Sequence, residues 1–182
     1  MNDTEVLKDM KKSSSLVNEK ISPIVEKMFS GWKLMQVEGY DNEVCKVLDI
    51  SGGIDYLLRN EKNNFIYGVA SRVQYGMNHR TFTVRKERES GALTEFQKRS
   101  QAISIGAIYP QYSMQAYIVG KNVLGLAIVK TSDLMEFIKN GYAETRHTNM
   151  DKIGQAEFYI CEWDRIKSCG YKVLEYNGGD NS

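Results

Sequence analysis

The spacing of apolar residues changes twice along this chain, and that change limits the available folds more than any single motif does. From Trp32 to Val84, apolar and polar residues alternate in short runs, the two-residue period of strands lying against a core. After Ser90 the spacing lengthens, and Leu93, Phe96, Ile103 and Ala107 fall roughly on one helical face. The segments Ser113–Val119 and Val123–Lys130 return to β-branched and aromatic composition. The resulting order is helix, strands, helix, two strands, helix and a short β finish. It predicts an α/β (α+β) domain with a central mixed β-sheet flanked by helices.

Local signals place the elements. Ile21, Ile24, Val25, Met28 and Phe29 recur at helical spacing after Ser22, with Pro23 tolerable in the first turn and Gly31 as the stop. Strands are predicted at Trp32–Glu38, Glu43–Ile50, Ile54–Arg59, Phe65–Tyr75 and Thr81–Val84. Ser90 is read as the cap of a helix from Gly91 to Ala107, and Thr131 or Ser132 as the cap of one ending near Asn140. Phe158–Cys161 and Tyr171–Leu174 are the last strands, with Trp163-Asp164 as a strand end. At 182 residues the chain is expected to be a single domain, 1–182, with 1–15 and 177–182 flexible.

Charge excludes some partners and localises others. The formal net charge is only +1, so no global field draws the protein to DNA or to a membrane surface. Any basic surface must be local. Between Arg72 and Arg99 there are seven Lys/Arg against three Glu, which supplies one. Cys45, Cys161 and Cys169 form no C-x-x-C pair, and with only His79 and His147 beside them a disulfide framework or structural zinc site is not expected. No apolar run approaches the roughly 20 residues that span a bilayer, and Met1–Ser15 has no signal-peptide character. The expectation is a cytoplasmic protein without a membrane partner. There is also no phosphate-binding G-x-x-x-x-G-K-[ST] loop, no G-x-G-x-x-G after a strand and no H-E-x-x-H.

Chemistry concentrates in three neighbouring segments: Leu48-Asp49-Ile50, Gly53-Ile54-Asp55-Tyr56 and Val69-Ala70-Ser71-Arg72-Val73-Gln74. An acid before one strand and alternating polar residues on the next can converge on one point, because residues two apart on a strand face the same way. Phosphodiester hydrolysis needs a divalent cation that lowers the pKa of water and neutralises developing charge, held by one or two carboxylates.

From about Glu19 to Lys130, with Phe158–Trp163 as a closing strand, the chain resembles the PD-(D/E)XK nuclease superfamily, the restriction-endonuclease-like proteins. The resemblance makes Asp55 the metal-binding aspartate and puts Arg72 and Gln74 where the family carries its acid-x-lysine pair. It implies a restriction-endonuclease-like core, a magnesium or manganese cofactor on Asp55, and nucleic acid as partner, DNA ahead of RNA; Asp49 is a substitute co-ligand for the metal if both side chains reach the catalytic end of the sheet. In that scheme Gln74 orients the attacking water and Arg72 holds the substrate phosphate. The nucleic acid crosses Arg72, Arg85, Lys86, Arg88 and Lys98. Glu43, Glu95 and Lys98 are substitutes for the missing pair.

Plainer roles compete with each of these. Asp55 suits a turn acid satisfied by backbone N–H groups, Arg72 and Gln74 the polar face of a half-buried strand, and Glu95 an i,i+4 partner for Arg99. Tyr67, Tyr75, Phe82 and Phe96 suit core packing as well as base stacking. Three functions stay open at this point: a metal-dependent endonuclease or exonuclease, a nuclease-like fold kept as a nucleic-acid or protein binding module, and a regulatory protein unrelated to nucleic acid. A homo-oligomer is compatible with all three.

Overall fold

The alternation of the sequence is realised in a six-stranded sheet at the centre of the computed structural model, which describes residues 17–37, 40, 42–88, 91–148 and 156–178. Strands β1 (Trp32–Gln36), β2 (Tyr56–Asn60) and β3 (Ile66–Tyr75) form an antiparallel meander. The strand β5 (Tyr112–Val119) lies parallel to β3. It is followed by β6 (Asn122–Lys130) and β9 (Val173–Asn177), both antiparallel to their neighbours. The spatial order is β1-β2-β3-β5-β6-β9.

A second sheet departs from the first at residues 76–80. There β4 (Thr81–Arg88) pairs with β8 (Ala156–Glu162), and β8 pairs with β7 (Glu144–Thr148), all antiparallel. Among the described residues there are five α-helices: α1 (Ser22–Met28), α2 (Glu43–Lys46), α3 (Glu95–Ile105), α4 (Thr131–Lys139) and α5 (Trp163–Ser168). The turn Val17–Ile21 leads into α1 and the turn Val47–Ser51 follows α2, both π-helical. The architecture is α+β.

Both faces of the large sheet are covered. Met114, Ala116 and Ile118 of β5, with Leu126 and Ile128 of β6, pack against Val17, Ile21 and Val25 of the N-terminal helical segment. Their alternates, Tyr117, Ala127 and Val129, pack against Phe82, Val84, Cys161, Trp163 and helix α4. Strands buried on both faces read as nearly continuous apolar runs, which is the composition of β5 and β6. Helix α4 presents Leu134, Met135, Phe137 and Ile138 to the second core, at helical spacing.

Four expectations need correction. Glu43–Ile50 is not a strand. Asn42 accepts a hydrogen bond from the Cys45 N–H at 2.9 Å and so caps α2, and Val44, Val47 and Ile50 are exposed. The helix expected from Gly91 starts at Glu95, where Thr94 and Gln97 form a reciprocal capping box; Ser90 lies outside the described residues. Phe158–Trp163 closes no edge of the large sheet. It belongs to β8 of the small one, and Trp163 begins α5 with its N–H bonded to the Arg80 carbonyl. Asn177 pairs with Gly125 at the end of β9 instead of opening a flexible tail. Segments 1–16 and 179–182 lie outside the described residues.

Candidate functional site

The two sheets do not meet along their whole length. Between β3, β4, β5, helix α3 and the 49–55 turn lies a cleft of about 290 Å³. It gathers Asp49, Asp55, Arg72, Arg85, Glu95 and Lys98 from the sequence reading, together with Arg99. Sequence distance hid this meeting, since the residues come from four elements.

The 49–55 turn brings both aspartates to the cleft. Gly53 has φ +62, a left-handed conformation that glycine takes without strain, and its N–H bonds the Asp49 carbonyl at 2.9 Å. A side chain at Gly52 would sit 2.7 Å from the Leu48 carbonyl, so this turn accepts little else. Asp55 precedes β2. Its N–H bonds the Val69 carbonyl at 3.0 Å, and its Oδ2 accepts the Ser71 N–H at 2.6 Å. The plainer role for Asp55, an acid satisfied by backbone N–H, is thus realised at one oxygen. Burial raises the Asp49 carboxyl above its ordinary value.

Arg72 is the hub. From β3 it donates through Nη1 to Thr83 Oγ1 on β4 at 2.9 Å and through Nη2 to Glu95 Oε2 on α3 at 3.1 Å. Its guanidinium lies 5.3 Å from the centre of the Phe158 ring. Glu95 is engaged at both oxygens: Oε1 meets Arg99 at 2.7 Å, and Oε2 also accepts the Arg85 N–H at 3.3 Å. Burial is the largest influence on its carboxyl and pushes it up. Arg99, Arg72 and the Arg85 backbone and charge together outweigh burial and hold it below the usual range. The i,i+4 pairing of Glu95 with Arg99 is real, and it belongs to the cleft.

Several expected residues are elsewhere. Gln74, two residues beyond Arg72 on β3, is not part of the cleft lining. The strand register explains why: Tyr56 pairs with Val69, so the β3 positions beside Asp55 are Ala70, Ser71 and Arg72. Lys86 is drawn to Glu157 on β8 at 2.8 Å and lies over the Tyr159 ring. Arg88 ends β4, and its side chain lies outside the described residues. Tyr67 stacks on Trp32, Phe82 is buried, Phe96 packs against Tyr159, and Tyr75 is exposed.

Residues that the sequence reading missed form the floor. Ser113 and Gln115 alternate on β5, both buried and both facing the cleft, and Thr83 bridges Arg72 to Gln115. A signal for them existed. Two polar residues spaced by two interrupt a strand that is otherwise apolar on both faces.

The cleft lining carries more cations than carboxylates. Four cations, Arg72, Arg85, Lys98 and Arg99, face three carboxylates. Of those three, Glu95 is engaged by arginines and Asp55 is bonded to a backbone N–H. Among the described residues, no group of three or more His, Cys, Asp or Glu side chains is placed to hold a metal ion. Lys98 makes no ion pair among the described residues and stands exposed at the rim. Compared with known proteins, the chain matches no family model, no curated protein and no solved structure.

Proposed function

We propose that this chain is a nuclease-like domain that binds nucleic acid, DNA ahead of RNA, through the cleft between its two sheets, and that it works as a binding module. The observation that carries this reading is the excess of cationic groups over available carboxylates in a cleft with Arg72 at its centre. Fixed guanidinium groups suit phosphate, which they meet with planar paired donors. The restriction-endonuclease-like core draws support from Asp55 before β2, β3 running antiparallel beside it, and the helix α3 crossing over to a parallel β5. In this register the acid-x-lysine positions next to Asp55 fall on Ala70 and Arg72. Alanine has no metal-binding group, and arginine keeps only the positive charge.

The test is binding of a fluorescently labelled oligonucleotide, measured by anisotropy across a salt series. Charge reversal of Arg85 and Lys98 should weaken binding about tenfold or more and reduce the salt slope by about two, one unit per lost phosphate contact. Unchanged affinity and slope would overturn the reading.

One observation favours a second reading, metal-dependent hydrolysis: Asp49 and Asp55 line the same cleft. Under it, magnesium or manganese added to the same mixtures should produce cleavage that Asp55→Ala abolishes. Intact oligonucleotide in every mixture leaves the binding module as the better account.

A further inference from the structure

The innermost polar group of the cleft is an amide with nothing to hold. Gln115 is 1% exposed, yet its Nε2 has no hydrogen-bond partner among the described residues. Arg72 Nη1 donates to Thr83 Oγ1, and the Thr83 hydroxyl donates to Gln115 Oε1 at 3.4 Å. Two N–H bonds of Gln115 remain. A buried donor left unsatisfied is destabilising, and buried polar groups are otherwise almost always paired. The neighbours, Arg72, Arg85 and Arg99, are donors too. What completes Gln115 must be an acceptor, and the three guanidinium groups around it favour a negatively charged one.

Resting on the nucleic-acid reading above, we infer that the floor of the cleft is a subsite for a terminal phosphate, a phosphomonoester at the end of a strand, with Gln115 and Arg72 as its ligands. Size separates a terminus from an internal phosphate. The cleft holds about 290 Å³, the low end for small-molecule sites. An internal phosphodiester would have to carry a nucleoside on each side to the same depth. A terminus enters with one. Charge points the same way: a monoester brings about −1.5 to −2 and three acceptor oxygens near neutrality, against the single negative charge of a diester. Ile50 and Ile108, both exposed and both lining the cleft, give the sugar and base of the last nucleotide an apolar wall.

The experiment compares one oligonucleotide sequence with a 5′-phosphate, with a 3′-phosphate and with hydroxyl at both ends, using the full chain. One phosphorylated end should bind about tenfold tighter than the hydroxyl-ended strand. Gln115→Met, which keeps the volume and removes the donor, should reduce that preference to less than about threefold. In the unmodified protein, the side-chain amide resonances of Gln115 should shift on titration with inorganic phosphate, a readout that depends on no variant. Equal affinity for all three ends, with binding still weakened by the Arg85/Lys98 charge reversal, overturns the terminal subsite and leaves the nucleic-acid reading standing. If no oligonucleotide binds but a nucleoside monophosphate does, and Gln115→Met abolishes it, the subsite stands and the nucleic-acid reading falls. Gln115 resonances unmoved by phosphate, together with no binding of any phosphorylated strand, overturn both.

Discussion

Two arginine clusters bridge the large and small sheets, and they end differently. At one end, Arg80 donates to Asn177, Asp164 and Glu175, while Lys167 meets the same two acids at 2.7 and 2.8 Å. Two cations face two carboxylates, and the Arg80 guanidinium rests over Trp163 at 5.2 Å. At the other end, Arg72 joins β3 to β4 and α3, but the cations outnumber the acids and Gln115 keeps an unanswered amide. The first cluster matches its cations with carboxylates inside the protein. The second leaves Lys98 without an ion pair among the described residues. An arginine at a junction therefore says little by itself; what distinguishes a fastening from a site is whether the polar groups around it close on one another.

The largest expected effect breaks the closed cluster. Trp163 is fully buried, packs against Phe82 and Tyr117 and carries Arg80 on its face. Trp163→Ala should cost about 3–5 kcal/mol in urea unfolding. Glu175→Ala should cost about 1–2 kcal/mol, because Arg80 and Lys167 lose a shared acceptor whose side chain is only 13% exposed. Lys98→Ala, at the rim of the open cluster, should change stability by less than about 0.5 kcal/mol while weakening anion binding. If Glu175 and Lys98 gave the same stability loss, the distinction between the clusters would fail.

The legible parts of this molecule were those set by short-range rules. The strands β2, β3, β5 and β6 and the helix α4 stood where alternation and helical spacing put them, within a residue or two. The α2 segment misled because Val44, Val47 and Ile50 fit a strand run as well as a helix, and the deciding Asn42 cap is a single side chain. The small sheet could not be read. Thr81 pairs with Glu162 across about half the chain, and nothing local records that partnership. The same divide runs through the site. Asp49, Asp55, Arg72, Arg85 and Lys98 were found by residue type and neighbourhood. Gln74 was placed by counting along β3, whereas its distance from Asp55 depends on the β2–β3 register. Gln115 was legible only as half of a polar pair with Ser113 in an apolar strand, and what that pair faces depends on elements remote in sequence.

Acid should separate the clusters through Glu95. Its folded pKa lies below the ordinary 4.5, so the stability it contributes is fully present above that value and is lost as pH falls through the depressed folded pKa. Glu95→Gln should flatten the acid limb of a melting-temperature profile below pH 4.5. It should also lower stability at neutral pH by roughly 1–3 kcal/mol, since three arginine contacts weaken together. Asp164 is shifted down as well, chiefly by its hydrogen bond to Lys167, but it is largely exposed, so Asp164→Asn should leave most of the acid limb in place. Equal flattening by both variants would mean that the cleft acid is no more constrained than a surface one.

Asp49 should give the smallest effect, and it has the opposite sign. Burial raises its folded pKa above 3.8. Its contribution to stability is therefore fully present below pH 3.8 and is lost as pH rises through the raised folded value. At neutral pH the ionised carboxylate is a burden on the fold, so Asp49→Asn should stabilise by a few tenths of a kcal/mol. The gain should vanish below pH 3.8, where the acid is already neutral. The same substitution removes a negative charge from the wall of an anion site, so oligonucleotide affinity should rise about twofold. A metal-binding Asp49 predicts the reverse, a loss of divalent-ion binding and of everything that depends on it. Melting profiles and anisotropy on this one variant thus weigh the anion reading of the cleft against the cation reading directly: a carboxylate the fold would sooner neutralise belongs to the first, and one whose removal disarms the cleft belongs to the second.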